Sequence, residues 1–405
     1  MKNLLISVIM YKKIRTVLLL LAIPVVFIAF QSCEKDVNDL GFNYIPPDDT
    51  LGTVVLDSRA DSMQITSNNY RKYISTYSSE FNLIGKYQDY ESKFFVKFTG
   101  DFGSYDSCRV LSADLYLSYN NYYYQDSLGQ LSFNVYPLTD TITFSTATLD
   151  NLPSTIIGTQ ILGTYSGIPV DSARISFPMD TSTVRKWIWK AANSNYSFNN
   201  YGIALVPNSS STSIKGFLPG IYVADSLKPT IRAIVMKNTD IDTIFIRNSE
   251  NVTFNTAPES IMMSQRFIIH SGISFRNLLN FDLSKLPSQV TINEAYMELT
   301  LDSTASYIKN SKETRIAFSL VTDSAQKKSD GSYFYTSRMD TNRNVFYVRF
   351  QPIVQKWCLG KNPQYGILVN YIYEINGIDK YVFYSPDASD VSKRPRLRIR
   401  YTPRN

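Results

Sequence analysis

The sequence predicts an all-β protein with two tandem jelly-roll-like β-sandwich domains, each with one short helix, behind a lipoprotein signal peptide. The composition favours strands and polar turns, with 29 Tyr and 23 Phe among 405 residues. Short runs with an apolar residue at every second position recur between polar turns, which is typical of half-buried antiparallel strands. These runs return in the same order in the second half of the chain, so we expect a repeated domain.

The N-terminus predicts a secretory signal that ends at a cysteine. Lys12, Lys13 and Arg15 form a basic start, an apolar run follows over residues 17–30, and Cys33 comes directly after a serine. A basic start, a short apolar stretch and a small residue before the cut are typical of a signal peptide. The apolar run is shorter than the ~20 residues that span a bilayer as a helix.

We therefore expect residues 1–32 to be removed and Cys33 to be acylated, with residues 33–60 as a lipid-anchored tether. An uncleaved anchor helix is the alternative. The start of translation is either Met1 or Met10, because the residues between them add a second apolar stretch with no evident role.

An acidic cluster follows the predicted acylation site, with Glu34, Asp36 and Asp39 close together. This cluster resembles the surface-export signal of lipoproteins in Bacteroidota. The resemblance implies an outer-membrane lipoprotein of the cell envelope that is exposed on the cell surface, with the membrane as a partner through its acyl chains.

The charge and cysteine content narrow the partners and the chemistry. Four of the 41 basic residues and none of the 35 acidic residues lie in the predicted signal peptide, so the mature chain is nearly neutral. We expect no nucleic-acid partner, because no basic patch is evident.

Besides the anchor cysteine, the chain has only Cys108 and Cys358. We expect two buried thiols, with a disulfide as the alternative in an oxidising envelope.

The first domain is predicted over residues 61–238. Its clearest strands cover residues 93–98, 113–119 and 131–137, each with alternating apolar positions. The second domain is predicted over residues 239–405.

Four segments of the first domain recur in the second domain. They are an Ala-x-Leu-x-Leu strand (113–117) and its Ala-x-Met-x-Leu counterpart (295–299), a strand leading to a short helix with Trp (175–187 and 346–357), a Tyr-Gly-Ile strand (201–203 and 365–367), and a closing Pro-x-Ile or Pro-x-Leu strand (229–231 and 395–397). The helices place Trp187 and Trp357 three residues after Val184 and Val354, so each pair shares a helix face. We expect both tryptophans to be structural core residues.

This order of features resembles a family of extracellular jelly-roll domains named for an Asp-Asn-Arg-Leu-Arg-Glu motif, although the motif itself is absent here. Some members bind polysaccharide, so the resemblance implies a polysaccharide ligand. Residues 39–41, 45–49 and 83–89 resemble an uncharacterised lipoprotein family of Bacteroidota with a domain of unknown function. Fold analogy does not establish function.

The sequence predicts no catalytic site. The only histidine, His270, ends a predicted strand beside Ser271, and no nucleophile motif accompanies it. No pair of carboxylates is distinguished as a glycosidase pair. We therefore expect no enzyme activity, and an envelope hydrolase is the least favoured class.

We predict no cofactor and no transition-metal site, because one histidine and two distant cysteines do not have the spacing of zinc ligands. Structural calcium stays open, since loops carry the acidic pairs Asp240 with Asp242 and Asp387 with Asp390.

A tyrosine-rich segment is the sharpest local feature. Tyr119 ends the predicted strand at 113–119, and Asn121, Tyr122, Tyr123 and Tyr124 follow it. Tyrosine rings stack on sugars or on a protein partner, and amides bond hydroxyl groups. The alternative is a hairpin whose alternate tyrosines pack on the domain itself.

The predicted function is a non-catalytic surface lipoprotein that binds polysaccharide through one or both jelly rolls. The alternative is a structural or adaptor protein that docks other envelope proteins and has no glycan affinity.

Overall fold

The structure, a computed structural model, describes residues 52–60, 63–221, 223–258, 263–309 and 314–403, with only the backbone of residues 332 and 333. The predicted signal peptide, Cys33 and most of the predicted tether therefore lie outside the described residues. The strands and helices below belong to one compact unit, Val54–Asn405.

The predicted all-β fold class is confirmed, because two large sheets form two sandwich-like halves. In chain order the strands are β1 (Val54–Asp57), β2 (Ile65–Arg71), β3 (Asn82–Tyr87), β4 (Tyr90–Thr99), β5 (Arg109–Tyr124), β6 (Leu131–Pro137), β7 (Gly163–Gly167), β8 (Arg174–Pro178), β9 (Ile203–Pro207), β10 (Ile214–Phe217), β11 (Thr230–Lys237), β12 (Asp240–Thr256), β13 (Arg266–His270), β14 (Phe275–Phe281), β15 (Thr291–Thr300), β16 (Arg315–Asp323), β17 (Lys328–Asp340), β18 (Val345–Arg349), β19 (Ile367–Tyr371), β20 (Lys380–Tyr384) and β21 (Arg396–Thr402).

The first half is a ten-stranded sheet in the order β12-β11-β5-β10-β3-β4-β9-β6-β7, with β8 paired to β5. The long strand β12 pairs antiparallel with β11 through its first part and with β4 through its second part. It therefore passes from one layer of the sandwich to the other. The core between the layers includes Phe94, Leu115, Phe133 and Ile231, all fully buried.

The second half is an eleven-stranded sheet in the order β1-β21-β15-β18-β17-β16-β19-β14-β13-β20, with β2 paired to β14. Its core includes Met297, Phe318, Phe346 and Ile399, all fully buried.

The strand pattern of the sequence follows from burial on one face. The predicted strands at 113–119 and 295–299 lie inside β5 and β15, where alternate residues such as Leu115 and Met297 face the cores. Strand β4 is an exception, since the neighbouring Phe94 and Phe95 are both fully buried. Phe94 faces the sandwich core, whereas Phe95 packs on the opposite side with Phe144 and Ile156.

Each half has one short α-helix, at the place predicted from the repeat. Helix α1 (Thr181–Ala192) begins at Asp180, whose carboxylate accepts a hydrogen bond from the Thr183 N–H at 2.8 Å. Helix α2 (Gln351–Cys358) has a proline in its first turn. Trp187 and Trp357 are 4% and 8% exposed and belong to the two cores.

The two halves exchange their first strands. Strand β1 pairs with the closing strand β21 of the second half, and β2 pairs with β14. In the first half, β12 holds both equivalent places, on the closing strand β11 and on β4. The predicted domain limits, 61–238 and 239–405, therefore do not coincide with the sheets. Residues 54–71 complete the second half, and residues 240–256 complete the first. Both closing strands offer a free edge for antiparallel pairing. The alternation of apolar residues does not specify which of the two edges a strand joins, so the sequence does not predict this exchange.

Candidate functional site

The tyrosine-rich segment ends β5 and lies between the two halves. Tyr119, Tyr122 and Tyr124 are only 5%, 6% and 2% exposed. Tyr122 stacks on Phe81 with ring centroids 4.6 Å apart, and Tyr124 meets the ring of Tyr307 from the second half at 4.7 Å. These three rings therefore offer no free face to a sugar, which corrects their assignment as ligand-binding residues.

Hydrogen bonds fix this arrangement. The Tyr122 hydroxyl accepts from the Ile378 N–H at 2.9 Å and donates to the Asp379 carboxylate at 3.3 Å. Burial, together with the Asp379 charge, raises the pKa of Tyr122 well above its usual 10.0. The Tyr307 hydroxyl donates to the Tyr123 carbonyl at 3.0 Å. The segment thus joins the halves through neutral, buried phenols.

The other two predicted ligand-binding residues, Asn121 and Tyr123, are partly exposed, but both contact neighbouring side chains. The half-buried Tyr123 ring lies under the ammonium groups of Lys309 at 3.9 Å and Lys215 at 5.5 Å. Exposed Asn121 has a φ of 68°, and its amide exchanges two hydrogen bonds with Ser172, at 2.7 and 2.8 Å. Asn121 thereby ties the end of β5 to the loop that contains Ser172, and the Tyr123 ring contacts two lysines.

His270 is fully buried at the end of β13. Its Nδ1 lies 2.8 Å from the Ser271 carbonyl, and Nε2 has no partner among the described residues. Burial lowers the pKa of His270 to about 3, so the ring is neutral at physiological pH. The Ser271 hydroxyl instead accepts a hydrogen bond from the Asp379 N–H at 2.8 Å.

The two cysteines are separate free thiols. Cys108 is fully buried in the first core, and burial raises the pKa of its thiol. Cys358 is half-buried at the end of α2 and donates to the Pro287 carbonyl at 3.4 Å.

Three of the four carboxylates considered for calcium, Asp242, Asp387 and Asp390, have local protein partners. Asp240 and Asp242 begin strand β12, so the prediction that they lie in a loop is wrong. Asp390 accepts from the Ser392 N–H at 3.0 Å, and Asp242 accepts from the Tyr105 hydroxyl. Within the described part of the chain, no three His, Cys, Asp or Glu side chains are grouped closely enough to hold a metal ion.

A groove of about 610 Å³ lies beside α1 in the first half. Helix α1 and the loop after it form one wall of the groove. The end of β6, together with residues 160 and 162, forms the opposite wall. It is lined by Pro137, Leu138, Gln160, Leu162, Thr183, Lys186, Trp187, Lys190, Asn195, Tyr196, Ser197, Phe198, Asn199, Tyr201 and Gly202. The volume is in the range of small-ligand sites, about 300–1,000 Å³.

The groove combines aromatic rings with amide groups. Tyr196, Phe198 and Tyr201 are half-buried, whereas Asn195 and Asn199 are exposed. Tyr196 packs edge-on against Trp189 at 5.5 Å, and the Asn199 amide donates to the Tyr201 hydroxyl at 2.7 Å.

Two lysines of α1 also line the groove. Lys190 donates to the carbonyls of Ser194 and Tyr196 at 2.7 and 3.0 Å, so it holds the loop against the helix. The Lys186 ammonium lies 5.6 Å from the centre of the Phe198 ring. The loop that carries the aromatic and amide groups is thereby fixed in place.

No known family model matches this chain, and no curated protein is significantly similar to it. None of the described helices is long and apolar enough to cross a membrane.

The sequence predicts ligand-binding residues in the tyrosine-rich segment and not in the groove beside α1. The sequence feature that corresponds to the groove is the segment 193–201. This segment is rich in Asn, Ser, Tyr and Phe and has neither strand nor helix periodicity. Aromatic residues inside a strand pack against the sheet, whereas a loop after a helix leaves side chains at the surface.

Proposed function

We propose that the protein is a non-catalytic cell-surface lipoprotein that binds polysaccharide in the groove beside α1. The observation that carries the proposal is that half-buried aromatic rings and exposed amide side chains line the same groove, which has a volume of about 610 Å³. Sugar rings have apolar faces that pack on aromatic side chains, and their hydroxyl groups need donors and acceptors at the edge.

The contacts of the groove support this ligand class. Asn195 and Asn199 stand at its rim with both donor and acceptor atoms. Lys186 adds a hydrogen-bond donor: its ammonium group lies over the Phe198 ring and forms no ion pair with a carboxylate among the described residues. An amphipathic groove of this kind fits a neutral or weakly acidic sugar chain better than a purely apolar ligand.

The location rests on the predicted signal and Cys33. Each buried methylene of an acyl chain contributes about 0.8 kcal/mol, so several chains would hold the protein at a membrane. The compact unit begins at Val54, which leaves residues 34–53 between it and the predicted lipid. A membrane-held protein with an open groove is suited to capturing polymers outside the cell.

A structural or adaptor role is the second candidate, favoured by one specific patch. Ile241 and Phe245 on β12 are 66% and 51% exposed, and Leu111 on β5, which β11 separates from β12, is 41% exposed. An exposed apolar patch is typical of protein-docking surfaces. Cross-linking on intact cells, with and without Phe245→Ser, tests this role.

The polysaccharide proposal is tested with a chain that begins at Glu34 and keeps the whole compact unit. We expect a saturable hit in a glycan array and in polysaccharide pulldown. Replacing Asn195 and Asn199 together by Ala is expected to weaken that binding about tenfold, since each lost neutral hydrogen bond contributes about 0.5–1.5 kcal/mol.

The matched control is Asn342→Ala, which changes an exposed asparagine in the second half, outside the groove. We expect it to leave glycan binding unchanged. A blank across host, algal and bacterial glycans would contradict the proposal. An equal loss of binding in Asn342→Ala would contradict it as well.

A further inference from the structure

The second half has an outward sheet face formed by β1, β21, β15 and β18. Across these strands Asp57 lies opposite Arg398, Arg398 opposite Tyr296, and Tyr296 opposite Arg349. In the next row, Arg396 lies opposite Glu298, and Glu298 opposite Tyr347. We call these two rows, with the adjoining Arg59, Arg343, Arg400 and Glu294, the arginine–tyrosine face.

The acids of this face are already neutralised. Arg59 pairs with Glu298 at 2.9 Å, Arg396 pairs with Asp57, and Arg400 approaches Glu294 at 3.9 Å. Asp57 and Glu298 are only 9% and 8% exposed. Three acids therefore balance three of the arginines.

The arginines of this face exceed its acids by two, because Asp340 in the same turn as Arg343 adds a fourth carboxylate. Arg343, Arg349 and Arg398 are exposed, and none of them forms an ion pair with a carboxylate among the described residues. Arg343 lies over the Tyr347 ring at 5.3 Å. Tyr296 and Tyr347 are 40% and 36% exposed, so the guanidinium groups alternate with accessible aromatic rings.

We propose that the arginine–tyrosine face binds the anionic headgroup layer of a membrane. A face of adjacent strands about 4.8 Å apart is broad and open, which suits a surface better than a single polymer chain. Guanidinium groups bond phosphate oxygens in a bidentate manner, and tyrosines are favoured at membrane interfaces.

The connection of the chain favours a membrane over another anionic partner. Strand β1 is the edge strand of this face and lies within the last part of the predicted tether, residues 33–60. An acyl anchor at Cys33 would therefore be connected to the compact unit through the edge strand of this face, and not through the half that contains the groove. Stable membrane attachment commonly combines an acyl anchor with basic residues. The inference shares with the proposed function only the predicted membrane location.

The same face of the first half lacks this character, although the fold is repeated. Arg232 takes the place of Arg398 on the closing strand, but it lies opposite Asp114 and Phe245. The arginine excess is thus a property of these residues and not of the fold, and Arg232 supplies a matched control.

The test measures co-sedimentation of the chain from Glu34 with phosphatidylcholine vesicles, with and without added phosphatidylglycerol. We expect partitioning onto the anionic vesicles only, and weaker partitioning at high salt. Replacing Arg349 and Arg398 together by Ala is expected to lower the partition coefficient about 25-fold, about fivefold for each arginine. Arg232→Ala is expected to partition like the unchanged protein.

Equal partitioning onto neutral and anionic vesicles would overturn the proposal, and so would an equal loss in Arg232→Ala. Binding of an anionic polysaccharide that needs Arg349 and Arg398, without vesicle binding, would assign the face to a glycan and also overturn it. The groove variant lacking the Asn195 and Asn199 amides should still partition onto vesicles. Failure of the glycan experiment and failure of this one are therefore distinguishable.

Discussion

The hydroxyl of Tyr122 accepts a hydrogen bond at 2.9 Å from the backbone N–H of Ile378, which lies 256 residues further along the chain. The bond crosses between the halves inside a small apolar cluster that also contains Phe81, Ile268 and Val382. The tyrosine that the sequence predicts to contact a ligand is thus covered by residues of the second half.

Removing this hydroxyl is expected to destabilise the protein. In Tyr122→Phe the Ile378 N–H and the Asp379 carboxylate each lose a buried partner, so the free energy of unfolding should fall by about 1–3 kcal/mol. Urea denaturation measures the change. The control is Tyr123→Phe, on the same strand but half-buried, which should change stability by less than about 0.5 kcal/mol. Equal effects of the two variants would show that the hydroxyl of Tyr122 has no special role.

The stability of the protein should depend on pH through its only histidine. Burial lowers the pKa of His270 from 6.5 to about 3. Between these values the unfolded chain binds a proton that the folded chain does not, so stability falls as the pH falls. We expect a loss of about 2 kcal/mol between pH 7 and pH 5, where the carboxylates are still largely ionised.

The matched measurement uses His270→Gln, which cannot gain a charge. Urea midpoints of this variant should change little between pH 7 and pH 5. A loss as large as in the unchanged protein would mean that other groups titrate in this window.

The strand exchange predicts which fragments fold. Residues 72–258 contain β3 to β12 and therefore the complete first sheet, so this fragment should unfold cooperatively in a calorimeter. Residues 61–238 lack β12, which leaves the free edges of β11 and β4 and removes Ile244, Ile246 and Val252 from their cores. This second fragment should show no cooperative transition, and a sharp one would contradict the exchange.

The two thiols should differ in reactivity. In the chain from Glu34, which lacks Cys33, a thiol reagent should modify the half-buried Cys358 well before Cys108. Burial shields Cys108 and raises its pKa, which lowers the fraction of reactive thiolate. Intact mass under non-reducing conditions should correspond to two free thiols. A mass two hydrogens lower, or faster labelling of Cys108, would contradict this arrangement.

The sequence predicts the elements of this fold better than their partners. Strands β5 and β15 and both helices follow from local alternation and from the repeat, because one buried face imposes a period that neighbouring residues display. The partners of β1, β2 and β12 do not follow, since an alternating strand fits either of two equivalent edges. The choice is made by contacts between residues far apart in sequence.

The candidate site has the same limitation. Alternation in β5 indicates that Tyr122 and Tyr124 share a face, but it does not indicate what covers that face. The cover comes from Tyr307, Ile378 and Asp379 in the other half. The groove beside α1 is also invisible to periodicity, because its walls are a helix, a loop and the end of β6.

The position of β1 has a mechanical consequence. Tension applied at the N-terminus meets β1 first, where the backbone bonds to β21 and the Asp57–Arg396 ion pair resist it. The next element along the chain is β2, which is also held by the second half. A pull on the tether is thus borne by the second half before it reaches the first. A force applied at the tether thus enters the compact unit through the second half, and not through the half that contains the groove beside α1.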